Sequence, residues 1–458
     1  MTEQQEPITM AERAEMPEVI ATYEEFDTMP IFEDPCEDAV KLLQGIMAYG
    51  FEKPSVIQQK AIMCLADRHN VIGQAQSGTG KTGAFVMGTL IQFEPHVKQV
   101  QLIFIAHTHE LAQQIISVIR SIGMRLFPEE TVELCVGQCV SVDQNIDHIR
   151  KGTCQILVGT PGRICDLVER TLRVNGAMVP LIDPRFVKTV IIDEADKLLS
   201  LKFEDKINNI ICCLDNPKMR ADNLQIGIFS ATMSETDLDC ARDLCVPRRH
   251  DQENWRLDPR APKEILVPVE NLTLDGIEQY YYNMDSQPRE SFNDKVRFIR
   301  IMNEIRVVPQ CIIYVNSQET ARNLSRSLYE QGLETRCIYG KMLPSERLAI
   351  TTEFRKGTIR ILVATDLLSR GFDVQQVSLV INFDIPYVTD RNTGGINEDS
   401  MAEYLHRIGR SGRFGRKGLA INLVSNYNEA HRVECIRTYY KTDIKLIQES
   451  DISSGLLY

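Results

Sequence analysis

Short, almost uninterrupted apolar runs recur along this chain, and a stretch whose apolar positions return every three or four residues follows each one. NVIGQA (70–75) precedes TGAFVMGTLIQF, and VQLIFIAHT (100–108) precedes ELAQQIISVIRSI. QILVGT (155–160) precedes ICDLVERTL, KTVIID (188–193) precedes EADKLLSL, and LQIGIFSAT (224–232) closes the series. A run that is apolar at every position cannot have one face in water, so these read as strands of a parallel sheet covered by helices on both faces.

The alternation lapses between about Cys245 and Asn271, where VPRRHDQENWRLDPRAPKEILVPVEN is rich in proline and charge. It then resumes with IEQYYYNM, CIIYVN, ETRCIYG, RILVAT, VSLVINFD and GLAINLV as strands, separated by helix-period segments that end with EAHRVECIRTYY. The pattern predicts two doubly wound α/β domains, at 41–250 and 272–458, with a linker at 251–271 and a ligand cleft between the domains. Residues 1–40 precede them as an acidic tail, expected to be flexible.

Charge changes the picture in one respect. The formal net charge of −12 argues against a nucleic-acid partner if it is spread evenly, because phosphates require cations. It is concentrated: residues 1–40 carry 12 acidic residues against Arg13 alone, leaving 51 acids and 50 bases in the rest. Thirteen cysteines include no C-x-x-C pair, which excludes the usual zinc-knuckle and thioredoxin spacings. No apolar run approaches the roughly 18 residues of a membrane span, and the N-terminus lacks the features of a signal peptide. A reducing setting, cytoplasmic or also nuclear, is the expectation.

The chemistry begins at AQSGTGKT, Ala75 to Thr82, which departs from the phosphate-loop pattern G-x-x-x-x-G-K-[ST] only at Ala75. Between a strand and a helix, the N–H groups of Ala75, Gln76, Ser77, Gly78, Thr79 and Gly80 can form an anion nest, Lys81 adds a cation, and Thr82 would then be a ligand for Mg2+. An alanine at the first position costs little if its φ is negative. A loop that hydrolyses its nucleotide also needs carboxylates at the end of a later strand, one for the metal and one to activate water. KTVIIDEADKLL supplies Asp193 for the first role and Glu194 for the second.

With D-E-A-D at Asp193 to Asp196, the chain resembles the DEAD-box RNA helicases, in the branch of the translation-initiation and mRNA-export helicases. The resemblance spans about residues 45–445 and rests on GFEKPSVIQ (50–58), AQSGTGKT, HTHELA (107–112), TPGR (160–163), DEAD, SAT (230–232), ATDLLSRGFD (364–373) and HRIGRSGR (406–413), in that order. It implies two RecA-like domains, ATP and Mg2+ as cofactors, RNA bound without sequence preference, protein regulators, and no membrane.

The resemblance also implies roles for single residues. Phe51 would stack on adenine while the Gln58 amide reads its edge. Asp373 would bind ribose, and His406 would link its motif to DEAD and SAT. Arg410 and Arg413 would reach the γ-phosphate as cationic fingers. Ser230, Thr232 and Asp196 would couple hydrolysis to RNA work. Thr108, Glu110, Gly137, Thr160 and Arg163 in the first domain, with Gly340, Arg347 and Thr365 in the second, would hold the RNA backbone and its 2′-hydroxyls. Dipolar N–H donors and a few arginines then suffice on a near-neutral body.

The departures from the family pattern lie mainly in motifs assigned to RNA. HTHELA replaces the usual P-T-R-E-L-A at His107 and His109, Gly137-Gln138 replaces a double glycine, Pro344 replaces a glutamine, and SRGFD replaces A-R-G-I-D. The expectation is that ATP chemistry is retained and RNA grip is altered. The reading is an RNA-dependent ATPase that separates short duplexes locally. An ATP-gated RNA clamp and a P-loop ATPase acting on protein or DNA are the alternatives.

Overall fold

The computed structural model describes residues 20–33, 35–76, 78–137, 140–174, 176–200, 203–215, 223–246, 256, 258–266, 276–284, 291–305, 310–366, 377–387, 397–411, 418–448 and 450–451. The main division between two compact units falls between Leu266 and Val267. No described helix is long and apolar enough to cross a membrane.

The first unit carries β1 (Val71–Gln74), β2 (Leu102–Ile105), β3 (Val132–Cys135), β4 (Ile156–Gly159), β5 (Thr171–Val174), β6 (Ala177–Pro180), β7 (Thr189–Asp193), β8 (Gln225–Ser230) and β9 (Lys263–Ile265). Seven of these form one parallel sheet in the order β3-β4-β2-β7-β8-β1-β9, while β5 and β6 make a separate antiparallel hairpin. Every residue of β1, β2, β4, β7 and β8 is buried, as the apolar runs require.

The sequence pattern passes over β3 and β9, for a shared reason. Both are short, carry charge, and lie at the sheet's edges. Glu133 in β3 is buried and accepts from Asn145 Nδ2 at 2.7 Å and His148 Nδ1 at 2.8 Å, so a carboxylate that reads as loop is satisfied within the fold. Strand β9 lies inside the expected linker at 251–271 and pairs with β1, with its first N–H donating to the Asn70 carbonyl at 2.8 Å. ICDLVERTL also divides: its helix, Pro161–Glu169, stops before Thr171, where the hairpin begins.

The acidic segment at 1–40 is not a free tail throughout. Phe26 and Met29 are fully buried and Phe32 nearly so, on and beside a short helix at Pro30–Glu33, and the Phe26 ring lies 6.3 Å from that of Phe51. Three apolar side chains within seven residues supply enough buried surface to offset ordering that the surrounding charge alone would not favour.

The second unit repeats the architecture with β10 (Ile277–Asn283), β11 (Cys311–Tyr314), β12 (Thr335–Ile338), β13 (Ile361–Ala364), β14 (Leu379–Asn382), β15 (Gly418–Val424) and β16 (Ile444–Leu446). Its parallel order is β12-β13-β11-β14-β15-β10-β16. Three-residue β16 again escapes the hydrophobic pattern, because two of its residues are exposed. The packed interior includes a buried ion pair, Lys295 Nζ to Glu429 Oε1 at 2.8 Å, in which the lysine also donates to the Phe383 carbonyl at 2.6 Å.

Candidate active site

The loop after β1 adopts the backbone that its glycines permit. Gly78 (φ 82°) and Gly80 (φ 92°) are left-handed, a region that costs most L-residues energy, and Gly80 caps the helix Lys81–Leu90. Ala75 is buried and is not among the described non-glycine residues with positive φ, so its replacement of the first glycine introduces no strain. Thr79 Oγ1 donates to the Gln76 carbonyl at 2.8 Å and closes the turn. Ser77 lies outside the described residues.

Gln58 is wholly buried, and its amide ties the preceding helix to this loop. Its Oε1 accepts from the Ser55 N–H at 2.9 Å while Nε2 donates to the Gly80 carbonyl at 3.1 Å. One proton of the amide expected to read adenine thus holds the phosphate loop, and one lone pair caps the amide's own helix. A Cβ at Gly83 would lie 2.8 Å from both Gln58 Nε2 and Phe51 Cζ, so a glycine there lets the Phe51–Gln58 segment approach the helix.

Parallel strands place their carboxyl ends on one edge, and register decides which residues meet there. Ile105 pairs with Ile192, Asp193 with Phe229, and Gln74 with Ser230. Continued past the strand ends, this register brings His107 beside Glu194 and sets the D-E-A-D turn against the S-A-T segment.

Asp193 is buried, and its own Oδ1 accepts the Glu194 N–H at 3.0 Å. Burial, then the neighbouring Glu194 charge, pushes its carboxyl up to about 7, with Lys81 drawing it down and Asp196 raising it further. A carboxyl so short of counter-charge is suited to a hard cation, and Thr82 opens the helix that begins at Lys81. Glu194 has φ 55°, one of three described non-glycine residues in the left-handed region. Ser230 Oγ donates to Asp196 Oδ1 at 2.6 Å, and Thr232 Oγ1 lies 3.4 Å from Asp196 Oδ2, which gathers the expected coupling residues around one buried carboxylate.

His107 is a residue whose place the motif alone did not reveal. Grouped by sequence with RNA-facing departures, it directs Nδ1 to within 3.1 Å of Glu194 Oε2, and both side chains are almost fully buried. The register of β2 with β7 was the signal, and it is not visible without the sheet.

In the second unit, His406 and Arg410 are buried near the end of the helix Glu398–Ile408, and Arg410 Nε donates to the His406 carbonyl at 3.0 Å. Arg407, set beside them in the same motif, has a different role. Its fully buried guanidinium reaches Asp366 Oδ1 at 2.6 Å, Asn316 Oδ1 at 2.8 Å and the Asp384 carbonyl at 2.7 Å, pinning loops that follow β13, β11 and β14. Asp373 and Arg413 lie outside the described residues.

The residues assigned to RNA occupy separate loops and helix starts. Thr108 Oγ1 accepts from the Leu111 N–H at 3.2 Å at the head of the helix His109–Gly123, which also carries Glu110. Thr160 caps the helix Pro161–Glu169 without a side-chain bond. Arg163 Nη1 is engaged within the unit, donating to the Val140 carbonyl at 2.9 Å and to Asn145 Oδ1 at 2.7 Å. A Cβ built at Gly137 or Gly340 meets nothing within 4 Å, so both backbones are open to approach. Thr365 follows β13, its N–H donating to the Ile338 carbonyl at 3.2 Å, and Arg347 lies on the helix Pro344–Arg355.

A family model described as DEAD/DEAH box helicase matches residues 55–239, and one described as helicase conserved C-terminal domain matches 294–415. The chain is similar to S. cerevisiae Dbp5 bound to RNA and ADP BeF3, with 28% identity over 95% of this chain and 100% of that one and a TM-score of 0.76. It is similar to a Dbp5 variant bound to a Gle1 variant and IP6, with 28% identity over 95% of this chain and 98% of that one and a TM-score of 0.71. In fold it also matches Mss116p bound to ssRNA and AMP-PNP, with 22% identity over 96% of this chain and 84% of that one and a TM-score of 0.73. The two family models together span more than half of the sequence, and the loop, D-E-A-D and S-A-T groups meet at one sheet edge: the chain belongs to the DEAD-box family of ATP-dependent RNA helicases.

Proposed function

We propose that this helicase remodels RNA or ribonucleoprotein in mRNA metabolism, such as translation initiation or export, by coupling RNA-stimulated ATP hydrolysis to local strand separation. One observation carries the reading: the glycine-shaped phosphate loop, Asp193, Glu194 and the Ser230–Asp196 bond lie at or just beyond the ends of β1, β7 and β8, whose carboxyl ends share one edge of the first sheet. Phosphate N–H donors, a metal-seeking carboxyl, a base and a coupling element are the parts that hydrolysis linked to work requires.

In this proposal Lys81 binds the terminal phosphates, and Glu194 accepts the proton of the attacking water. Thr82 and Asp193 would hold Mg2+, which neutralises phosphate charge when bound. Gln58 transmits adenine occupancy to Gly80 through its bond to that carbonyl. Arg410 and Arg413 add cationic stabilisation, and Asp373 binds ribose. The Thr108, Thr160, Arg163, Gly137, Gly340, Arg347 and Thr365 regions contact single-stranded or short duplex RNA. The work is carried out in the cytoplasm or nucleus with protein regulators, a role supported by likeness to Dbp5 structures that contain Gle1.

The test is ATP turnover by the purified chain with and without single-stranded RNA, paired with single-turnover separation of a short duplex. RNA stimulation with strand separation faster than RNA release supports the proposal. RNA retention without separation makes the protein an ATP-gated clamp, and stimulation by DNA but not RNA sinks both readings.

A further inference from the structure

We infer that His107 is a positioning residue for the water-activating carboxylate, holding Glu194 through its imidazole Nδ1. The inference rests on the reading of Glu194 as the general base. In the pattern that HTHELA resembles, position 107 is a proline, which has no side-chain donor, so the contact is a property of this chain's own sequence.

The geometry comes from the backbone upward. Strands β2 and β7 are adjacent and parallel, with Ile105 opposite Ile192, so the second residue beyond Ile105 stands beside the second residue beyond Ile192. Those residues are His107 and Glu194. The left-handed φ of 55° at Glu194 turns its side chain out of the regular strand direction, and Nδ1 of His107 lies 3.1 Å from its Oε2. Each side chain retains only 11% of its exposure, so water does not screen the contact as it would at a surface.

Among the described residues, Glu194 Oε2 has no hydrogen-bond donor aligned with it. The His107 contact is therefore at ion-pair distance without the angle of a finished hydrogen bond. Contacts of a general base commonly reach that alignment only in the substrate complex.

A base needs one oxygen directed at the water, and a free carboxylate rotates. Once Nδ1–H aligns on Oε2 in the substrate complex, the rotation is restricted and Oε1 remains to accept the proton. The imidazole supplies this restraint as the neutral Nδ1–H tautomer or as the cation, and neither atoms nor electrons are exchanged with it. The effect belongs to the chemical step, so it changes kcat and leaves ATP and RNA binding largely as they are.

Four full-length variants test this: His107→Ala, His107→Asn, Glu194→Gln and the double variant His107→Ala with Glu194→Gln. Their ATPase is measured at saturating ATP and RNA, with KM for ATP and RNA affinity measured alongside. We expect His107→Ala to lower kcat about ten-fold while both binding constants stay within about two-fold. His107→Asn, whose amide nitrogen can occupy the place of Nδ1, restores most of the rate. In the Glu194→Gln background, His107→Ala adds no further loss, because the two residues act as a unit.

An unchanged kcat in His107→Ala, or a weakened RNA affinity with kcat intact, overturns the inference. So does a full additional loss in the double variant. If His107→Ala fails to fold, His107→Pro, which carries the family's own residue, takes its place with the same expectation. Normal turnover by Glu194→Gln would instead remove the base assignment itself, an outcome distinct from any failure at His107.

Discussion

Ser230 Oγ donates to Asp196 Oδ1 at 2.6 Å, joining the turn after β7 to the end of β8 through two buried side chains. Asp196 also lies 3.4 Å from Thr232 Oγ1, so one carboxylate spans both hydroxyls of the S-A-T segment. Removing the shorter bond leaves a buried acceptor short of a donor. Ser230→Ala should destabilise the first unit by about 1–3 kcal/mol, read from its denaturation midpoint. Strand separation should fall more than RNA-stimulated ATPase. A midpoint and a separation-to-ATPase ratio both equal to those of the unaltered chain would remove Ser230 from the coupling element.

Glu194 and Lys81 should fail differently. Lys81→Ala removes the mobile cation of the phosphate loop and should weaken ATP binding, measured with a fluorescent nucleotide. Glu194→Gln keeps the side chain's shape and removes its basicity, so binding should persist while turnover drops by about 10²–10⁴. If Glu194→Gln hydrolyses ATP at the normal rate, another group activates the water.

Asp193 gives a pH dependence whose sign follows from its shift. Its carboxyl has an ordinary value of 3.8 and is pushed to about 7 in the fold. The folded chain therefore holds a proton that the unfolded chain has lost between these limits, and stability falls as pH rises from about 4 to about 7. Below that window Asp193 contributes no penalty. Asp193→Asn should flatten this part of the profile in metal-free, nucleotide-free buffer, raising stability at pH 8 relative to pH 4 by an amount on the order of a few kcal/mol. Thermal melts of the two proteins across pH 4–8 check it, and parallel profiles would refute the assignment.

Lys295 and Glu429 test the interior of the second unit. The pair is 2.8 Å apart and almost fully buried, with Glu429 also accepting from the Ser425 N–H at 2.7 Å. Lys295→Met strands the carboxylate and should cost about 3–5 kcal/mol. Adding Glu429→Gln removes the orphaned charge while keeping an acceptor for Ser425, and should recover much of the loss. Chemical denaturation of the single and double variants decides it; equal losses would show that the lysine's bond to Phe383 matters more than the ion pair.

Much of the fold was legible because a strand buried on both faces must be apolar at every position. That constraint marks the central strands β1, β2, β4, β7 and β8, and β11, β13, β14 and β15, without any knowledge of their neighbours. It does not mark β3, β9 or β16, where an edge position tolerates Glu133, Lys263 or Lys445. It also missed the packing of Phe26 and Met29 within an otherwise acidic segment. The phosphate loop and D-E-A-D were legible because their chemistry depends on contiguous residues: glycines before a helix, carboxylates at a strand end.

The sequence by itself determined the strand-and-helix alternation, the nucleotide motifs and the family, since all of these are written in local spacing. Tertiary structure alone decided which motifs touch. That Gln58 ties down Gly80, that Ser230 meets Asp196, that Arg407 pins three loops and that His107 stands against Glu194 all depend on strand order and register. Residues distant in sequence become neighbours only after helices pack and strands pair, as β2 pairs with β7 to bring His107 to Glu194, and no local rule of spacing encodes those pairings.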